Sequence, residues 1–267
     1  MPMRNVGGLN MYYELTGSGP PVVFISGIAL DHQPWKLFQV ATFVTAGYRC
    51  LVFDNRDAGQ TDESPLASYD IAQFVEDTIG LTGQLGLGRF HLVGSSMGGL
   101  IAQEIALGHA GRVRSLTLVS TFAKADPYLS TVFATVNATH RSLTQGEFLQ
   151  APGLQAFTDG VCANQQAAQA WLSAAPAHAR PQSPAAYLRQ ANAGANHDTL
   201  DRLHNIDIPT HVVVGANDVV TPPGQSRVLA DRIPRARLTV IPGAGHAVAM
   251  ENAAEFNRVV LSFLGQH

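Results

Sequence analysis

A chain of 267 residues with 46% hydrophobic and 14% charged side chains can build one large α/β domain, or a core with an insertion, and is too apolar to stay disordered. A formal net charge of -3 offers no electrostatic footprint for nucleic acid or an anionic membrane surface. No stretch approaches the roughly 20 apolar residues of a membrane span, the first residues lack the apolar core of a signal peptide, and Cys50 and Cys162 are too few for a disulfide framework, so the expectation is a cytoplasmic protein.

In chain order, a Gly7-Gly8 turn and the run Met11 to Leu15 read as part of an N-terminal hairpin. Pro21 to Ile25 is apolar without alternation, which suits a strand covered on both faces, and it ends at Ser26-Gly27. Pro34 to Ala46 reads as helix, Arg49 to Phe53 as strand and Asp54 to Pro65 as a polar loop. Asp70 to Leu85 places Ile71, Phe74, Val75, Thr78, Ile79 and Thr82 on one stripe, an amphipathic helix.

Arg89 to Val93 is the next strand. Gly94-Ser95-Ser96-Met97-Gly98-Gly99 follows it directly and opens the helix-prone run Leu100 to Leu107. Strand, tight turn and helix are the setting of a Gly-x-Ser-x-Gly nucleophile elbow, which lifts the serine hydroxyl above the sheet at the positive end of the helix. Ser96 is therefore the candidate nucleophile, although a five-residue match by itself is also met in ordinary Gly/Ser loops. Leu116 to Val119 is another strand. From about Phe122 to Asn205 no strand-like run occurs, and helix-prone pieces are separated by Pro152-Gly153, Pro176, Pro181 and Pro184. Strands resume at His211 to Val214 and Leu238 to Ile241, with a helix at Gly224 to Arg232 between them. Phe256, Val259, Val260, Phe263 and Leu264 mark a final amphipathic helix. The pattern predicts an open, mostly parallel α/β sheet flanked by helices, with core segments 1–121 and 206–267 and a helical cap insertion over 122–205.

A serine hydroxyl needs a base, and the base an orienting carboxylate. Asp218 stands just past the strand ending at Val214, and His246 stands in a Gly-rich loop just past the strand ending at Ile241, so both fall at the sheet edge where Ser96 lies. Asp126, after the strand ending at Val119, competes for the acid role. The bland readings are a turn-forming Asp218 and one histidine among ten; order and position favour the functional one. His32, His91, His140, His178, His197, His204 and His211 are read as surface or packing residues. For the oxyanion of acyl transfer the expected donors are the backbone N–H groups of Met97 and Ile28, the latter beyond the Ser26-Gly27 turn.

With these residues in place, the chain resembles the α/β-hydrolase superfamily over nearly its whole length, and the small cofactor-free esterase and lactonase branches in particular. The resemblance rests on Ser26-Gly27 with Trp35 downstream, the loop Asp54-Asn55-Arg56-Asp57-Ala58-Gly59-Gln60-Thr61, the Ser96 elbow, Asp218 and Gly245-His246. Two departures stand out: Ser26 where many relatives carry His, and Asp57 where many carry Gly. Asp54 and Arg56 are expected to brace the loop. The resemblance implies a serine hydrolase of carboxylic esters or lactones. Alternatives are hydrolysis of carbon–carbon bonds in β-diketone or dienoate substrates, a perhydrolase-like activity, or a receptor-like binding protein. No cofactor and no metal are expected, since no His/Cys cluster at ligand spacing and no phosphate loop occurs. Within the cap, Phe122, Trp171 and Tyr187 are the expected substrate contacts, and Arg141, Arg180 and Arg189 are read as solvated surface arginines. The partner is then a small molecule, neutral and partly hydrophobic; oligomeric state is left open.

Overall fold

The computed structural model describes residues 2–142 and 182–267. Among them a single eight-stranded sheet carries the fold, in the order β1-β2-β4-β3-β5-β6-β7-β8. Strands β1 (Met3–Val6) and β2 (Leu9–Gly17) form the antiparallel N-terminal hairpin, turning through Gly7 and Gly8 at positive φ. β2 runs antiparallel to β4 (Arg49–Phe53). From there β3 (Pro21–Ile25), β5 (Phe90–Ser95), β6 (Val113–Val119), β7 (Thr210–Gly215) and β8 (Ala236–Ile241) pair in parallel.

Both faces of the sheet are covered, as the unalternated apolar runs require. Val23, Ile25, Leu51, Phe53, Phe90 and Leu92 face one layer, where α2 (Ile71–Gln84) and α3 (Met97–Gly108) pack. Val22, Phe24, Val52, Val93 and Val213 face the other, against α1 (residues 33–45) and α8 (Ala253–Leu264). Residues one apart in β3 thus enter different cores, a direct result of the two-residue strand period. α1 comprises Gln33–Trp35, a π-helical turn Lys36–Val40 and Ala41–Thr45. Its Gln39 is fully buried and donates to the Ala249 carbonyl at 2.7 Å, tying α1 to the short α7 (Val248–Glu251). α2 starts where the sequence predicts: Asp70 is its N-cap and shares a capping box with Gln73.

Between β6 and β7 the described residues form α4 (Pro127–Ser142) and α5 (Pro184–Ala195), followed by a 3-10 turn at Leu203–Asn205. α6 (Pro223–Arg232) follows β7. Cys50 is buried in β4, and burial pushes its thiol up to about 12; Cys162 lies outside the described residues. No helix among the described residues is long and apolar enough to cross a membrane.

Candidate active site

Because β5, β7 and β8 are parallel, their C-terminal ends share one edge of the sheet, and the loops that leave them meet there. Ser96 follows β5 and caps α3 with φ 54° and ψ -118°, a left-handed conformation rare for a side chain other than glycine. The elbow tolerates this because its neighbours are small. A Cβ on Gly98 would lie 2.3 Å from the Ile25 carbonyl oxygen, and one on Gly94 would lie 2.2 Å from that of Gly98. The strained residue is pinned on both sides: Ser96 N–H donates to the Val119 carbonyl at 2.9 Å, and its own carbonyl accepts from Thr121 Oγ1 at 2.8 Å.

His246 Nε2 lies 3.2 Å from Ser96 Oγ, and Nδ1 lies 3.0 and 3.1 Å from the two oxygens of Asp218. A carboxylate only accepts, so Nδ1 carries the proton and Nε2 presents its lone pair to the serine hydroxyl. Asp218 is 3% exposed. Burial raises its pKa, but His246, the Thr221 N–H and the Thr221 hydroxyl outweigh burial and hold the carboxyl below its usual range. The Thr221 N–H and hydroxyl donate at 2.8 and 2.9 Å, and the Val220 N–H adds a third bond at 2.9 Å. One carboxylate thus both closes the turn, through Val220 and Thr221, and reaches His246 Nδ1.

Sequence reasoning did not single out Glu251. Its carboxylate accepts from Gly245 N–H at 2.8 Å and from Ala247 N–H at 3.1 Å, so it clasps the loop on either side of His246. The available signal was an acid five residues after the histidine, in the first turn of α7. Asp126, the competing acid, is occupied elsewhere: it accepts from Leu129 N–H at 2.8 Å at the start of α4 and from Gln225 Nε2 at 2.6 Å.

Met97 opens α3, where its N–H has no acceptor within the helix. The Ser26-Gly27-Ile28 turn passes close by: a Cβ on Gly27 would sit 3.1 Å from Ser96 Cβ and 3.7 Å from Oγ. The two backbone segments expected to hold an oxyanion therefore flank the hydroxyl. Tyr187 and Ala191 of α5 are buried and pack with Ile28 and Ala29 beside this turn. Phe122 is 2% exposed and packs in the core against Phe133, with ring centroids 5.8 Å apart. Trp171 and Arg180 lie outside the described residues, as does the side chain of Arg141.

The reading of Arg189 as a solvated arginine is corrected. Its Nε and Nη2 donate to the two oxygens of buried Asp57 at 2.8 and 2.7 Å, because α5 lies directly over the 54–61 loop. Asp57 has φ 66°, a conformation that suits glycine, and its carboxylate's bonds to Arg189, Tyr69 and Ser64 N–H hold an aspartate there instead. The bracing of that loop is plain: Arg56 is paired with Asp77 at 2.7 and 2.8 Å, and Asp54 accepts from His32 and Gln60 N–H groups at 2.8 Å each. Among the described residues Asp31, His32 and Asp54 form a buried group with metal-ligand donors within 4.8 Å of one another. Their bonds go to the protein: His32 Nδ1 meets Asp54 at 2.7 Å, and Asp31 accepts from Gln33 N–H at 2.9 Å.

A parallel sheet, a strained serine at a strand–helix elbow and a histidine–carboxylate chain at the same edge define the α/β-hydrolase fold class, and residues 20–253 match the family described as alpha/beta hydrolase fold, to which the chain belongs. Among its relatives is BpoC of Mycobacterium tuberculosis, provisionally named a non-heme bromoperoxidase. It is 31% identical over 96% of this chain and 97% of its own, and its crystal structure superposes with a TM-score of 0.86. The enol-lactonase of Burkholderia xenovorans is 26% identical with a TM-score of 0.88, covering 99% of this chain and all 100% of its own. A thermophilic esterase from Thermogutta terrifontis is 26% identical, covers 99% of this chain and 98% of its own, and has a TM-score of 0.85.

Proposed function

We propose that the chain is a serine hydrolase of carboxylic esters or lactones working through an acyl-enzyme on Ser96. The observation that carries this reading is the continuous chain from Ser96 Oγ through His246 to Asp218, with the serine held at φ 54°. His246 Nε2 takes the hydroxyl proton as Oγ attacks the substrate carbonyl. The Met97 and Ile28 amides receive the charge that develops on the carbonyl oxygen. The C–O bond then breaks, and the proton on Nε2 passes to the departing alcohol, which stays tethered when the substrate is a lactone. Water loses a proton to Nε2 and attacks the acyl carbon; Ser96 Oγ leaves with that proton, and the acid is released. Asp218, kept ionised by its donors, stabilises the imidazolium formed in each half-reaction.

The esterase and the enol-lactonase among the similar structures support this substrate class. With Arg189 committed to Asp57, the described part of α5 offers no guanidinium for a substrate carboxylate, and Ile28 and Tyr187 lend the approach an apolar character. A neutral, partly hydrophobic acyl group fits best. The similarity to BpoC favours one further reading of the same acyl-enzyme, in which hydrogen peroxide replaces water and the product is a peracid.

The test is a stopped-flow burst with a p-nitrophenyl acyl ester, together with the intact mass of the protein after trapping. One acyl adduct per chain on Ser96, and loss of both burst and turnover in Ser96→Ala, are expected. A burst that survives Ser96→Ala overturns the reading. Peracid formation in the presence of peroxide decides between the two second halves.

A further inference from the structure

We propose that Gln190, on α5, is a positioning residue that holds the oxyanion turn in its working shape; this rests on the serine-hydrolase reading above. The turn has little to hold it by itself. Ala29 has φ 60°, a left-handed conformation that an alanine does not keep without support, and the bond that closes the turn, Leu30 N–H to the Gly27 carbonyl, is stretched to 3.4 Å. The two ends are fixed from the core, by Ser26 Oγ donating to the Asp31 carbonyl at 2.8 Å and Asn55 Nδ2 donating to the Ser26 carbonyl at 3.1 Å. The middle is fixed from α5. Ala29 N–H donates to Gln190 Oε1 at 2.9 Å, across 161 residues of sequence.

Gln190 is fully buried and its amide is oriented without ambiguity. Oε1 accepts from Ala29 N–H and from Gln182 Nε2 at 3.0 Å, while Nε2 donates to the Arg56 carbonyl at 2.7 Å. Tyr187 and Ala191, three residues before and one after it, lie on the same face of α5 and press on Ile28 and Ala29. One helical face from the inserted segment therefore seats the residue next to the amide that would receive the oxyanion. Gln190 holds the Ile28–Ala29 peptide through the Ala29 N–H; a shift of that peptide would carry with it the preceding Gly27–Ile28 peptide, whose N–H is the oxyanion donor, and move that donor away from the carbonyl oxygen. Loss of the acceptor should therefore weaken the transition state and leave ground-state binding alone.

The experiment compares wild type, Gln190→Met and Gln190→Glu with a neutral p-nitrophenyl ester and an aryl trifluoromethyl ketone, which forms a tetrahedral oxyanion on the serine. Glu keeps the acceptor for Ala29 N–H, and the protonated carboxyl, the form that burial favours, keeps a donor for the Arg56 carbonyl. Gln190→Met is expected to lose roughly 10- to 100-fold in kcat with KM unchanged, and to lose affinity for the ketone by the same factor. Gln190→Glu is expected to recover most of both. Unchanged kcat in Gln190→Met, a loss confined to KM, or Gln190→Glu as poor as Gln190→Met overturns the proposal. Should Gln190→Met not fold, hydrogen exchange at the Ala29 amide of the wild-type enzyme decides: protection is expected, and exchange at the rate of an open loop overturns it. Turnover surviving in Ser96→Ala would instead remove the serine-hydrolase reading, and this proposal with it.

Discussion

Arg189 and Asp57 stand 132 residues apart in sequence and meet through two parallel hydrogen bonds, at 2.8 and 2.7 Å, with the carboxylate wholly buried. Tyr69 donates to the same carboxylate at 2.5 Å, and Ser64 N–H donates at 2.7 Å. Gln182 adds a bond from its Nε2 to the Asp57 carbonyl at 2.7 Å. The inserted segment is thereby bolted to the core at the loop that follows β4.

That bolt makes a stability prediction. In Arg189→Met the Asp57 carboxylate stays buried without its counter-charge, and the loss should be about 3 kcal/mol, typical of breaking one half of a buried ion pair. In Asp57→Asn with Arg189→Met the charge is gone from both sides, and part of that stability should return. Urea unfolding of wild type, Arg189→Met, Asp57→Asn and the double variant measures the coupling. A single Arg189→Met variant indistinguishable from wild type would mean the pair is solvated and worth little.

The assignment of the acid separates two carboxylates. Asp218→Asn leaves His246 facing an amide and free to adopt the wrong tautomer, and kcat should fall by up to about 10⁴. Asp126→Asn should leave kcat in place, because its bonds run to Leu129 N–H and Gln225 and not to His246; the amide oxygen still accepts from Leu129 N–H, and only the bond from Gln225 is given up. Steady-state kinetics with one ester substrate checks both. A reversed order of the two effects would move the acid to the end of β6.

These tests also mark where the sequence speaks and where it is silent. The strands and the Ser96 elbow are legible because they are local: β3 is an apolar run, and the strand–Gly-x-Ser-x-Gly–helix pattern sits within about one supersecondary unit. The strand ends are less so. β6 starts at Val113, ahead of the apolar run, because Ser115 is drawn inside to bond the Nδ1 of His91 at 2.8 Å. The π-helical turn in α1 leaves no trace in composition, since it exists to bring Gln39 to Ala249 and Asn257 at the other end of the chain. Asp57 reads only as an oddity in a loop until α5 is laid over it. His32 reads as a packing residue, and packs against Tyr12, yet its Nδ1 also meets the Asp54 carboxylate at 2.7 Å. Each of these needs a partner that only the tertiary fold supplies.

The remaining histidines set the response to acid. Burial pushes His91 and His197 down to about 4 and His211 to about 3, with nearby Arg114, Arg202 and Arg237 adding to the effect; Glu104 opposes it at His197. Each is neutral in the folded protein, while in the unfolded chain it takes up a proton near pH 6.5. The unfolded state therefore binds more protons below that pH, and the stability these residues confer is complete above about 6.5 and declines as pH falls toward 4. His32 runs the other way. Burial lowers its pKa, but Asp54, Asp31 and Glu14 more than offset this and raise it, so its contribution is present at low pH and fades as pH rises. Burial and the nearby Arg235 and Arg237 lower His267 as well, so among the described residues four histidines against one fix the sign. Between pH 7.5 and pH 5 each of His91, His197 and His211 should cost about 2 kcal/mol of unfolding free energy. Urea unfolding at the two pH values should show the fall, and His91→Gln, which cannot titrate, should shrink it by one histidine's share. A fall of the same size in wild type and His91→Gln would show that His91 is not held neutral by the fold.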